Sequence, residues 1–286
     1  MTSTALELLK KSDPLTAPSP AVIKLMHALN RPDSDADELV KLVEKDVVLT
    51  AKLLAVCNSA QCGSSQQIAS VKQAIFFLGF KEIYRLTLAI SFGGPLAQPL
   101  LGYAIEARQL WHHSLVTALA TQAILSRANP MGFDPSVAYT AGLIHDIGKL
   151  VLNQVLDPDT EARIRECVEV NHLSRVEAER RVLETDHCEI GSLLLERWKL
   201  PEVLVDSTAR HHEPPLEPQP QLSAVVHLAN CLAHEVGYSA GWLAYAARTN
   251  EGVIKALGLQ NEDVQQLLLD THDALQQVEE LAAVKE

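Results

Sequence analysis

The chain has 286 residues, 47% of them hydrophobic, with a formal net charge of −12. This length can bury a full core, as one large domain or as two lobes. The negative charge argues against a general nucleic-acid binder, because a phosphate backbone is repelled at long range. Cys57, Cys62, Cys167, Cys188 and Cys231 are odd in number and contain no CxxC pair, which fits a reducing compartment. No apolar run reaches the ~18 residues that would cross a bilayer, and the N-terminus lacks a basic-then-apolar leader. The expected location is the cytoplasm, away from the membrane.

Apolar residues recur at three- and four-residue spacing almost throughout, and no long stretch alternates with period two, so an all-α protein is predicted. After a short leading helix, Asp13-Pro14 and Pro18-Ser19-Pro20 form a non-helical stretch. Helices are then predicted over Ala21 to Asn30, from a cap at Ser34 or Asp35, and over Val47 to Asn58. A polar loop covers Ser59 to Ala69. Ser70 caps a helix that ends at Gly79, and Lys81 to Phe92 makes another. Gly93-Gly94-Pro95 breaks the pattern, and a lobe boundary is placed nearby, at 98/99.

A long helix is expected over Ala104 to Arg127, followed by one opened by Pro135. Ser174 to Glu177 reads as a capping box. Asp186 starts a helix through Trp198, Pro201 begins one that reaches His211 and His212, and Gln221 to Val236 follows a Pro-rich loop. The division is 1–14 as a leader, 15–98 and 99–236 as two lobes, and 237–286 as a helical extension. The amphipathic last helix is expected to dock on its own domain in preference to forming a homodimer contact. Phe76, Phe77 and Phe80 read as core, Cys57 and Cys62 as structural, and Glu177 to Arg181 as a solvated helix face.

The most informative segment is Ala141 to Leu150. There an apolar helical run ends in His145-Asp146-Ile147-Gly148-Lys149. Adjacent residues on a regular helix point well apart, so His145 and Asp146 converge on one ion only if the helix bends or other helices approach. Gly148 permits a change of direction, and Lys149 places a cation near a metal-held anion. Nine of the eleven histidines lie between His112 and His234. With Asp146, His112, His113, His145, His187, His211 and His212 come from four separate predicted helices, and a bundle core can gather ligands from facing helices. Imidazoles with a carboxylate suit iron, manganese or zinc.

These motifs resemble the HD superfamily of metal-dependent phosphohydrolases, and more specifically the HDOD domain, a helical relative found in bacterial signalling proteins. The resemblance rests on Asp46, Leu53-Leu54, Asn58-Ser59-Ala60, Ile68, Val71, Ala74-Ile75 and Leu78-Gly79 in the first lobe. In the second lobe it rests on Leu110 to Ser114, Ala141 to Leu150, Asp186 to Gly191, Trp198 to Pro201 and Arg210 to Pro214. It implies two packed helical lobes. By resemblance, His113, His145 and Asp146 match the first-metal ligands, with Asp146 able to bridge two ions. His187, His211 and His212 match second-metal ligands of the related HD-GYP phosphodiesterases, and Lys149 matches a phosphate-contacting or proton-transfer lysine.

The chain departs from that pattern in three places. Asn230 stands where the superfamily has a late aspartate, and an amide oxygen is a poor, uncharged ligand for a borderline metal. Gln109 replaces a glutamate that some HD-GYP members use, and the Gly-Tyr-Pro signature is absent. The expected site therefore holds one weakly bound divalent ion on the His187, His211 and His212 side, Fe or Mn before Zn, or is an empty polar pocket. The functional expectation is a non-catalytic or weakly active signalling module. Its partners would be signalling proteins or a phosphorylated small ligand, with no nucleic acid and no membrane. The alternative is a metal-dependent phosphohydrolase acting on a nucleotide or cyclic dinucleotide, with Lys149 and Asp146 in the reaction.

Overall fold

A computed structural model describes residues 2–12, 18–29, 36–58, 68–237 and 251–283. It is all-α; among these residues the extended backbone pairs only at an isolated Leu100–Ile105 bridge. The first group of helices is α1 (Ser3–Lys11), α2 (Pro20–Leu29), α3 (Ala36–Glu44), α4 (Val47–Cys57), α5 (Val71–Leu78) and α6 (Phe80–Leu96). The second is α7 (Gln109–Arg127), α8 (Pro135–Ile144), α9 (Gly148–Val155), α10 (Pro158–Glu169), α11 (Arg175–Leu183), α12 (His187–Arg197), α13 (Glu202–Arg210) and α14 (Leu222–Glu235). Two more helices, α15 (Glu251–Ala256) and α16 (Asn261–Ala283), follow.

Capping residues account for many helix starts. Asp46, Ser70, Asp134, Asp157 and Asp186 each accept a hydrogen bond from a backbone N–H of the first turn. Ser174 and Glu177 form the predicted capping box. The proposed cap at Ser34 or Asp35 lies outside the described residues, as do Asp13-Pro14, Asn30, Cys62 and most of the predicted 59–69 loop. Asn58 reaches across that segment: its amide donates to the Ile68 carbonyl (2.7 Å) and accepts from the Ile68 N–H (2.7 Å).

Three expectations need correction. Helix α6 runs through Gly93-Gly94-Pro95 to Leu96. Proline there removes one N–H in the last turn while Phe92 and Leu96 are buried, so packing outweighs the local breaker signal. The helix expected from Ala104 starts only at Gln109, because a 3-10 turn (Leu101–Tyr103), the Leu100–Ile105 bridge and a left-handed Arg108 precede it. Phe76 and Phe77 are 94% and 50% exposed. Helix α5 buries Val71 and Ala74 on one face and the two phenylalanines fall off it, whereas Phe80 packs against the core.

One continuous apolar core takes residues from both helix groups. Tyr84 of α6 meets Thr140 of α8 in a buried hydroxyl pair (2.9 Å). Helix α1 packs on α9 and α12, where the Thr2 hydroxyl donates to Glu189 (3.0 Å). Helix α16 packs on α7 and α14, burying Leu267 and pairing Asp270 with Arg127 at 3.1 Å, so it docks on its own chain. No helix among the described residues is long and apolar enough to cross a membrane.

Candidate metal centre

Helix α8 ends at Ile144, and His145 to Ile147 form a tight turn of helical dihedral angles before α9 begins at Gly148. The Ile147 and Lys149 N–H groups donate to carbonyls three residues back, so the regular α-helical pattern is interrupted at the adjacent ligands. Gly148 serves a different purpose from the one expected. A Cβ there would lie 1.9 Å from the His187 carbonyl oxygen and 2.8 Å from the Gly191 nitrogen. The missing side chain lets α9 and α12 touch backbone to backbone, which brings His187 up to Asp146. Gly142 plays the same part between α8 and α7, where its Cβ would meet the Ala118 Cα at 2.8 Å.

The centre is organised around Asp146, which is 1% exposed. Its Oδ2 faces His145 Nε2 (3.4 Å), His113 Nε2 (3.7 Å) and the Lys149 ammonium (2.5 Å). Its Oδ1 faces His187 Nε2 (3.4 Å) and His211 Nε2 (3.6 Å). His212 joins the second group, with its Nε2 3.3 Å from that of His187. The carboxylate thus stands between two donor clusters. One is His113, His145 and Asp146; the other is His187, Cys188, His211 and His212. His113, His145, His187 and His211 are fully buried, and His212 is partly exposed.

The imidazoles are oriented as metal ligands are. His145 Nδ1 donates to the Gly142 carbonyl (2.8 Å), and His211 Nδ1 donates to the Thr208 carbonyl (2.8 Å). A carbonyl can only accept, so each Nδ1 carries its proton and each Nε2 turns toward Asp146. His187 Nδ1 is held by Glu179 Oε2 at 2.7 Å. Asp146 Oδ1 and His211 Nε2 are buried without a hydrogen-bond partner. These two unpartnered buried atoms, 3.6 Å apart beside the other imidazoles, belong to a ligand set that fits a divalent cation.

Electrostatics follow from burial in a charged cluster. Burial disfavours the Asp146 carboxylate, but Lys149 and His145 outweigh it and hold its pKa well below the usual range. Burial, with His234 and His145 beside it, keeps His113 neutral, and burial with its histidine neighbours does the same for His212. His187 and His211 are desolvated too, yet Cys188 and the adjacent carboxylates lift both, His211 to about 9. Cys188 is correspondingly lowered: burial raises its pKa, and His187 and His211 more than reverse that.

Asn230 lies on α14, 3% exposed, and its Oδ1 has no hydrogen-bond partner. His227 and His234 flank it at i−3 and i+4, on the same helical face. His227 Nδ1 donates to the His211 carbonyl (2.8 Å), and the His234 ring lies 4.7 Å from that of His113. That face of α14 therefore meets both clusters. Gln109 sits at the start of α7, and its side chain accepts from the Glu106 N–H (2.8 Å).

Sequence reasoning missed Cys188, His234, Glu179 and the groups that hold Glu179. Cys188 belongs to the second cluster, and His234 stands beside His113 of the first. Glu179, expected on a solvated face, is fully buried. It accepts from His187 Nδ1, the His187 N–H (2.9 Å), the Tyr103 hydroxyl (2.8 Å) and Arg175 Nε (3.0 Å). Arg175 stacks over the Tyr103 ring at 4.0 Å and reaches Glu161 at 3.3 Å.

The HDOD domain model matches residues 15–214, and the chain belongs to the HDOD domain family. A Treponema pallidum protein of unassigned function is 25% identical over 200 residues, which are 69% of this chain and 37% of that protein. The chain thus spans little more than a third of that relative's length. A solved HDOD domain protein from Geobacter sulfurreducens superposes with a TM-score of 0.74 at 24% identity, covering 99% of this chain and 96% of that one. A Marinobacter aquaeolei structure described as a signal transduction protein gives 0.76 at 23% identity, covering 98% and 64%. At these identities the structures share the fold.

Proposed function

We propose that the chain is a signal-transduction module in which the His-Asp centre holds a divalent ion or small ligand as a structural or sensing element, with little or no turnover. The observation that carries this reading is deep burial of most of the centre, with His212 partly exposed. His113, His145, His187 and His211 are fully buried, Asp146 and Lys149 are 1% exposed, and one Asp146 oxygen is paired with the Lys149 ammonium. A hydrolytic metal lowers the pKa of a bound water and polarises a phosphoryl oxygen at an open position. Asn230 adds no charge to compensate such an ion. Output then passes through contacts with signalling proteins or a phosphorylated small ligand.

In this reading His113, His145 and Asp146 hold one ion position, and His187, His211 and His212 hold the other. Glu179 fixes His187, while the Gly142 and Thr208 carbonyls fix His145 and His211. When bound, the metal supplies Lewis acidity. Lys149 neutralises Asp146 in its absence.

One observation favours the second reading, a phosphohydrolase acting on a nucleotide or cyclic dinucleotide. The two Asp146 oxygens point to different clusters, as a carboxylate bridging two ions would. The test loads purified protein separately with Mn(II) and Fe(II) and assays phosphodiester and nucleotide substrates beside Asn230→Asp. Turnover by the variant alone supports a lapsed enzyme. Robust turnover by the wild type, abolished in His145→Ala, overturns the non-catalytic reading.

A further inference from the structure

We propose that Cys188 is a metal ligand, completing with His187, His211 and His212 a three-imidazole, one-thiolate site that prefers zinc, iron(II) or cobalt(II) to manganese. This rests on the reading above that the centre holds a divalent ion. The ligand atoms of the four residues lie within 4.8 Å of one another, and Cys188 is 1% exposed. The imidazole atoms available are defined: Nδ1 of His187 is committed to Glu179 and Nδ1 of His211 to Thr208, which leaves Nε2 of each facing inward. His211 Nε2 is buried with no hydrogen-bond partner, an independent sign that a cation belongs there.

Charge supplies the reason for a thiolate. Three neutral imidazoles around a dication leave its compensation to Asp146 Oδ1, on a carboxylate shared with the other cluster and Lys149, and a partly compensated buried charge is costly in a low-dielectric interior. The two Asp146 oxygens are divided between the clusters, and Oδ2 already faces Lys149. Asn230 contributes none. Cys188 is the group in this cluster that can bring a full negative charge as a ligand. It lies in the first turn of α12, where backbone N–H groups favour an anion. A soft sulfur donor also shifts selection away from manganese, which oxygen ligands suit, toward zinc and iron.

The test titrates metal-stripped protein with Co(II) and follows the near-ultraviolet thiolate-to-cobalt charge-transfer band, with bound cobalt counted separately. The expected result is a band in the wild type that disappears in Cys188→Ser, which still binds cobalt. The variant should also lose Zn(II) preference over Mn(II) by more than about tenfold. X-ray absorption of the zinc-loaded wild type should show a sulfur scatterer at about 2.3 Å, and needs no variant to fold. Bound cobalt without a charge-transfer band, or zinc with nitrogen and oxygen scatterers only, overturns the role of Cys188 and leaves a metal centre standing. A band that persists in Cys188→Ser assigns the sulfur to another cysteine and overturns it too. No bound metal in the wild type overturns the metal reading and this inference together.

Discussion

Truncating Glu179 tests whether the support behind His187 is as costly to disturb as its geometry implies. Its carboxylate is fully buried and accepts four hydrogen bonds, from Arg175 Nε, the Tyr103 hydroxyl, and the backbone and ring N–H of His187. The arrangement keeps it ionised: burial raises its pKa, yet His187 and Arg175 bring it to about 2. In Glu179→Ala, Arg175 keeps Glu161 and the Gly102 carbonyl, each at 3.3 Å, while the other donors lose a buried acceptor. Removing one partner of a buried ion pair costs roughly 3–5 kcal/mol. The individual hydrogen-bond losses overlap with that figure and do not add to it. At roughly 2–4 °C per kcal/mol for a chain of this size class, the melting temperature should fall by about 6–20 °C. On metal-stripped protein, urea unfolding followed by far-ultraviolet circular dichroism measures the free-energy loss, and a thermal scan measures the shift in melting temperature. Arg181→Ala, on the exposed side of the same helix, should stay within about 0.5 kcal/mol of wild type. If Glu179→Ala matched that control, the buried-network account would be wrong.

Three further outcomes are expected. Gly148→Ala should cost more than about 3 kcal/mol or abolish soluble expression, since its methyl group would press on the His187 and Gly191 backbone. Gly94→Ala, with open space around its Cβ inside α6, should be neutral or stabilising by up to about 1 kcal/mol in the same unfolding assay. Lys149→Met should destabilise the metal-free protein by roughly 3–5 kcal/mol, and Zn(II) should raise its melting temperature more than it raises that of wild type; equal shifts would refute competition for Asp146. His234 is held at about 4 in the fold by burial and by Lys149. A depressed base binds fewer protons folded than unfolded, so stability is full above its unfolded pKa near ~6.5 and declines as pH falls toward 4. A urea-midpoint series over that interval should show a shallower decline in His234→Phe.

What could be read from the sequence depended on whether a residue declared itself locally. Helix starts at Ser70, Ser174 and Asp186 were legible because a cap needs only its own first turn. His113, His145, Asp146, His187, His211 and His212 were legible through their order along the chain, and the fold brings them together. Glu179 was not. It sits in a helix of charged residues, and its burial is created by Tyr103 and Arg175, one of them 76 residues away. Nothing in the local pattern separates it from exposed Glu177. Gly148 was seen to matter for the wrong reason: flexibility is a property of the residue, whereas close approach depends on α12. At Gly93-Gly94-Pro95 the local signal was real but weaker than burial of the flanking Phe92 and Leu96.

Asn230 lies beyond residue 214, where the family match ends, so its weight comes from position and charge. It shares a face with His227 and His234, which touch the two clusters, and its carbonyl oxygen is buried without a donor. An aspartate there would place a second carboxylate beside a centre in which Asp146 already needs Lys149 for neutrality. Without a metal, that extra buried charge would be costly; with one, it would be compensated. Asparagine removes this dependence, because the Asp146–Lys149 pair can close the centre by itself. Lys149 and a cation then become alternative partners for the same carboxylate oxygen, and metal binding must displace or redirect the ammonium. Two alternative partners for one carboxylate suit reversible occupancy, which agrees with the sensing role proposed above.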